Sequence, residues 1–210
     1  MSSSAELVEH LIWLDCDPGH DDAFALMLAG TYPGARLLGV STSGGNQTVE
    51  KVTKNALNIL NLMGQAGTVP CVRGQEHALM DTTVPCPEIH GDTGLDTHCG
   101  ARFPAHSHTA VAQKWLPFMA NAILTAPQKV KLIATGRMTN VAVLLTVYPE
   151  VMRNLELISI MGGSSKGGNT HPVAEFNIQV RSTLYSYISR ISRYCFIIQF
   201  IFMCGCLFIV

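Results

Sequence analysis

A chain of 210 residues is long enough for one domain with a substantial core, or one and a piece, at roughly 150 residues per domain. Fourteen Lys and Arg against fifteen Asp and Glu leave a formal charge of −1, which excludes the electrostatic footprint of a general nucleic-acid binder and an acidic solvating tail. Hydrophobic residues make up 48% and charged residues only 14%, against roughly 25% charged in ordinary soluble domains, so the surface is mild or part of the chain is not soluble surface.

Residues 1–10 read as an N-terminal extension. They open on three serines and carry Glu6 and Glu9 where a signal peptide needs positive charge before an apolar run. The seven cysteines form no CxxC pair and an odd count, so neither a zinc ribbon nor a disulfide framework is expected, and a cytoplasmic protein with reduced thiols is. Apolar periodicity then predicts a strand over 11–15, a helix over 21–29, a strand over 36–41 and a helix over 49–63 with Val52, Ala56, Ile59, Leu60 and Met63 on one face. A short strand at 69–72 follows. The stretch 74–107, rich in Pro, His, Gly and Asp, is too long for a plain connector and reads as a functional loop. Beyond it come a helix over 110–124, a strand over 130–135, a helix over 140–147 and a strand over 155–161. Strand and helix alternate throughout, the pattern of an α/β fold with a mainly parallel central sheet flanked by helices.

The composition changes at the C-terminal end. The seventeen residues from Tyr194 to Val210 carry no charge and hold four of the eight phenylalanines and three of the seven cysteines. Two readings stand. The span is at the lower limit for a membrane-crossing helix, with Arg181, Arg190 and Arg193 on its N-terminal side, and would make a C-terminal anchor. Alternatively the tail is foreign to the fold.

In α/β sheets ligands bind outside the carboxyl ends of the strands, and the unusual residues fall there. The first strand runs into Asp15-Cys16-Asp17-Pro18-Gly19-His20-Asp21-Asp22. Asp15 and Asp17, two apart, are expected on one side, and Pro18-Gly19 turns the chain into the next helix. Four carboxylates in one small volume repel unless a cation sits among them. All-oxygen ligands on flexible loops favour calcium over magnesium. Helix N-terminal acids alone would account for Asp21 and Asp22 through the helix dipole, but not for Asp15 and Asp17. An EF-hand is excluded, because Gly19 and Leu26 occupy positions that must be acidic.

A strand ending in Asp-x-Asp also opens the haloacid-dehalogenase-like phosphatases, which leaves Asp21-Asp22 unexplained. The run Asp15 to Ala23 more closely resembles the N-terminal signature of the inosine-uridine-preferring nucleoside hydrolases. Further matches follow in order: Gly45-Asn46, His90-Gly91, Gly94-Leu95, Ala134-Thr135-Gly136, Thr139-Asn140, Ile160-Met161-Gly162-Gly163, Gly168-Asn169, Pro172 and Ala174-Glu175-Phe176-Asn177. The resemblance covers about 12–180, and the wording from Trp13 to His20 is most like the fungal uridine nucleosidase branch.

The resemblance implies hydrolysis of the N-glycosidic bond of ribonucleosides to ribose and free base. It implies calcium held by Asp17, Asp22 and the backbone carbonyl of Thr135, with Asp17 as general base. Asp21, Asn46, Asn169, Glu175 and Asn177 would hold the ribose hydroxyls, Met161 would pack near the ribose and His90 would lie near the base. The family pattern gives way at Arg181, so 11–180 is expected to be the front part of such a domain, incomplete at its C-terminus, and 181–210 a divergent tail. No acidic residue follows Glu175 and no histidine follows His171, where the family carries a further calcium-binding aspartate and, in many members, a histidine near the leaving base. Hydrolysis is therefore expected to be weak or absent, and the sheet to have an exposed edge. The alternative is an inactive binding module held at a membrane by 194–210. The choice among uridine, inosine and cytidine is not legible, and homo-oligomerisation is expected only because family members commonly oligomerise.

Overall fold

The computed structural model describes residues 10–79, 85–96, 100, 102–162 and 177, and the backbone of 195–198, 200–203 and 206–209. Its elements in chain order are β1 (His10–Cys16), α1 (His20–Thr31), β2 (Ala35–Thr42), α2 (Val49–Leu62), β3 (Cys71–Arg73), α3 (Pro87–His90), α4 (Trp115–Leu124), β4 (Val130–Ala134), α5 (Thr139–Val147), a 3-10 turn (Pro149–Asn154), β5 (Leu155–Met161), β6 (Cys195–Ile198), β7 (Phe200–Met203) and β8 (Cys206–Ile209).

The strands β3-β2-β1-β4-β5-β6 form one sheet in that order, and every neighbouring pair is parallel. Alternation along β1 explains the layering. Leu11 and Trp13 pack into a core with α4, α5 and the 3-10 turn, through Met119, Ile123, Val141 and Val151. Ile12, Leu14 and Cys16 face the opposite core, with Leu26 of α1 and Ala56, Ile59 and Leu60 of α2. A strand buried on both faces reads as a continuous apolar run, and Leu11 to Leu14 is one.

Two details differ from the sequence expectation, the start of α4 and the form of the tail, and the β1–β2 register adds a feature that the sequence pattern does not show. Helix α4 begins at Trp115, not residue 110, which places Pro117 in its first turn, where a missing N–H leaves no helical bond unmade. A start at 110 would set the proline ring against a carbonyl in the helix interior. The register of β1 on β2 slips between Ile12 and Trp13. Gly39 lies opposite Trp13, and a Cβ there would come within 2.5 Å of the indole Cζ3. The described part of the tail is extended, not helical: β6 adds to β5, and β7 pairs antiparallel with β8. The edge of β5 expected to be exposed is thus paired over Ile158–Met161, and among the described residues no helix is long and apolar enough to cross a membrane.

Candidate active site

Strand β1 ends at Cys16, and Asp17 is the first residue beyond its pairing. Its side chain is 1% exposed and lies between two glycines. A Cβ on Gly45 would collide with Oδ2, and one on Gly136 would stand 2.8 Å from Oδ1. Only glycine on both sides leaves room for the carboxylate. The backbone N–H of Asn46 donates to Asp17 Oδ2 at 2.7 Å.

Asp22 enters the same space from α1. It accepts the N–H of Gly19 at 3.3 Å and the hydroxyl of Thr135 at 2.6 Å. Asn46 joins the two acids, its Nδ2 donating to the Asp17 carbonyl at 3.0 Å and to Asp22 Oδ2 at 3.2 Å. Burial and then the neighbouring Asp22 charge raise the Asp17 pKa well above the usual carboxylate range, while the Asn46 amide and, more weakly, Arg137 oppose the rise. Burial and the Asp21 charge push Asp22 up to about 7. One Asp21 oxygen is buried without a hydrogen-bond partner among the described residues.

The carbonyl of Thr135 accepts from Asn177 Nδ2 at 2.8 Å, and the same amide reaches the Met161 carbonyl at 3.2 Å. Asn177 therefore spans the ends of β4 and β5. Met161 lines an apolar cavity of about 420 Å³ over β1, β4 and β5, together with Leu14, Ile133 and Thr135. His90 stacks on His20 with ring centroids 5.6 Å apart. Its Nδ1 faces both the His20 backbone N–H and His20 Nδ1 at 3.4 Å. Gly19 is wedged against this ring, since a Cβ there would lie 2.5 Å from His90 Nδ1 and 2.8 Å from Asn46 Nδ2. Burial lowers the His90 pKa, against the pull of Asp21.

The structure thus gathers Asp17, Asp21, Asp22, Asn46, Thr135 and His90 at the strand ends, with Asn177 and the Met161 carbonyl beside Thr135. Asn169 and Glu175 lie outside the described residues. Asp15 departs from expectation. Its side chain does not join Asp17 but turns beneath the site, where Ser41 Oγ and Asn140 Nδ2 donate to Oδ1, the latter at 2.8 Å. Strand alternation stops predicting sides once the chain leaves the ladder at Cys16. Asp15 is fully buried, with Oδ1 held by Ser41 and Asn140. Sequence reasoning missed Ser41, which carries no motif signal. It quoted Asn140 without a role, although a polar residue opening an apolar helix after a strand was a visible signal.

Among the described residues, no three His, Cys, Asp or Glu side chains are grouped tightly enough to hold a metal by themselves. The donors present nevertheless suit a hard cation: two buried carboxylates with raised proton affinity, a carbonyl, and an unpartnered Asp21 oxygen.

The buried carboxylates and amides converge beyond the strand ends of a parallel α/β sheet, the place where such folds bind their ligands. Residues 12–180 match the model of the inosine-uridine preferring nucleoside hydrolases, and the chain belongs to that family. It is 42% identical over 174 residues to a pyrimidine-specific ribonucleoside hydrolase, RihA, of Shewanella baltica (strain OS185), covering 83% of this chain and 53% of the relative. The protein of the same name from Enterobacter sp. (strain 638) is 42% identical over 169 residues, 80% of this chain and 53% of its own. The chain spans about half the length of the curated relatives it matches. A purine-preferring ribonucleoside hydrolase from Gardnerella vaginalis superposes with a TM-score of 0.78 at 26% identity, over 90% of this chain and 60% of that one. A plant nucleoside hydrolase superposes at 0.80 and 23% identity, covering 90% and 59%, a likeness of fold.

Proposed function

We propose that this chain carries the metal- and ribose-binding part of a calcium-dependent ribonucleoside hydrolase, which splits the N-glycosidic bond to give ribose and free base. The observation that carries the reading is the joining of buried Asp17 and Asp22 through Asn46, with Thr135 bonded to Asp22.

Calcium would be held by Asp17, Asp22 and the Thr135 carbonyl, where it would polarise ribose hydroxyls and acidify water. Asp17 would accept a proton from the attacking water, its carboxylate standing just past the end of β1 in the space that Gly45 and Gly136 leave. Asp21 offers its unpartnered oxygen to a ribose hydroxyl, and Asn46 fixes both acids while presenting its amide. In the family pattern Asn169, Glu175 and Asn177 complete the hydroxyl contacts, which discriminate sugars because an unmet buried polar group is costly. Asn177, whose amide lies against the Thr135 carbonyl, is placed beside the donors that would hold the cation. Met161 borders the ribose, and His90 faces the base.

The pyrimidine specificity named for the relatives makes uridine the first substrate to test. Acidic side chains end at Glu175 and histidines at His171, so turnover well below that of a full-length relative run alongside is expected. Uracil release by the purified chain should require calcium and fall about 100-fold or more in Asp17→Asn, the size of effect general bases supply. Release that ignores both calcium and this substitution would sink the proposal.

A further inference from the structure

Beneath the site, Asn140 uses its whole amide. Nδ2 donates to Asp15 Oδ1 at 2.8 Å and to the Thr42 carbonyl at 3.0 Å, and Oδ1 accepts the Gln75 N–H at 2.9 Å. The side chain is fully buried. These three partners lie on or just past the ends of β1, β2 and β3, so one residue at the start of α5 ties three strand ends together. Gly74 packs directly on the amide, leaving no room for a Cβ.

Two of the tied strand ends, those of β1 and β2, lead into the site. Asp15 lies two residues before Asp17, and its carbonyl accepts the N–H of Thr135 at 2.9 Å and of Gly136 at 3.4 Å. The second of these is the glycine against Asp17 Oδ1. Thr42 leads through Ser43, whose N–H bonds the Cys16 carbonyl at 3.2 Å, into Gly45 and Asn46. On the other side of Asp15, Trp13 Nε1 donates to Ser41 Oγ at 3.0 Å, and Ser41 Oγ donates to Asp15 Oδ1. Ser41 and Asn140 thus share one oxygen of Asp15. Asp15 Oδ2 is buried without a hydrogen-bond partner among the described residues, so the position of this carboxylate rests on the bonds that Ser41 and Asn140 make to Oδ1.

We propose that Asn140 is a positioning residue: by joining the ends of β1, β2 and β3 it sets the separation of Asp17, Asn46 and Thr135, and so the affinity of the cation site. This rests on the metal-site reading above. Removing outer-shell partners of a metal site typically lowers affinity about 10- to 100-fold.

Asn140→Leu removes all three bonds at similar volume. Asn140→Ala removes the same three bonds without setting a branched side chain against Gly74, so it serves if the leucine variant does not fold. Asn154→Leu is the control. Its amide donates to the carbonyls of Ile123 and Leu124 at 3.2 and 2.9 Å, at the opposite end of the sheet. Calorimetric titration with Ca²⁺ alone should show affinity lowered about 10-fold or more in the Asn140 variants and unchanged in Asn154→Leu, although all melt earlier. Amide hydrogen exchange of the metal-free proteins should show Thr135 and Asn46 opening faster in the Asn140 variants only. Folded Asn140 variants with wild-type calcium affinity and wild-type exchange at Thr135 and Asn46 would overturn the proposal. Should the wild-type chain fail to bind Ca²⁺, the metal reading falls separately, and the exchange comparison alone decides whether Asn140 positions these strand ends.

Discussion

Asp17 is defined as much by what is missing beside it as by what bonds it. Gly45 and Gly136 come from different strand ends, and each is placed so that any side chain would strike a different oxygen of the same carboxylate. Neither has a positive φ, so the requirement for glycine is one of space, not backbone conformation. In Gly45→Ala the added methyl group must displace the Asp17 carboxylate, so the Asn46 N–H would lose Asp17 Oδ2. The expected result is a loss of about 1–3 kcal/mol from the broken bond to a buried charged group and a calcium affinity lowered about 10-fold or more. Thermal melts read the first and Ca²⁺ titration the second. An unchanged affinity would show that the cradle does not shape the site.

At the level of elements, the sheet depends on a similar accommodation. Trp13 is fully buried on β1 and occupies the space that a side chain on Gly39 of β2 would need, beside the register slip. Gly39→Ala pushes a methyl group to 2.5 Å from the indole, and overpacking of this kind costs about 1–3 kcal/mol. A urea midpoint lowered accordingly is expected, with the slope unchanged; a wild-type midpoint would mean that β2 slides freely on β1. The strands and helices themselves were legible because β1, β2, β4 and β5 are apolar runs separated by helical periods, the pattern that follows from burial on both faces. Asp17 was legible because an acid at a strand end stands out against such runs and Asp22 because it belongs to the same acidic cluster, whereas Asn46, after a glycine, reads as an ordinary turn without the family resemblance. Asp15 was misplaced because alternation describes only residues inside a ladder. The role of Ser41 was invisible because a serine in a strand looks the same whether it faces water or a buried carboxylate. The start of α4 was missed because Ala110 and Val111 extend the apolar pattern, whereas Pro117 fixes where a helix can begin.

For the molecule as a whole, the buried acids make stability depend on pH and on metal together. Burial pushes Asp15 and Asp22 up to about 7 and Asp17 upward as well, whereas in the unfolded chain all three ionise near pH 4. From about pH 4 upward the folded state therefore binds more protons than the unfolded one, and stability falls as pH rises, the Asp15 and Asp22 contributions being lost by about pH 7. Calcium reverses the balance, because it needs the ionised forms of Asp17 and Asp22 and binds only the folded state. A hundredfold excess over its dissociation constant adds about 2.7 kcal/mol, an increment that grows over the same window in which the metal-free protein weakens. The melting temperature in a chelator should drop from pH 5 to pH 8, and millimolar calcium should flatten or invert that slope, whereas magnesium, which prefers a tighter octahedral shell and gives up water reluctantly, should do so less. A chelated protein that gains stability between pH 5 and 8 would show that these carboxylates are stabilised as anions by the fold itself, and that the site does not need a cation to hold its shape.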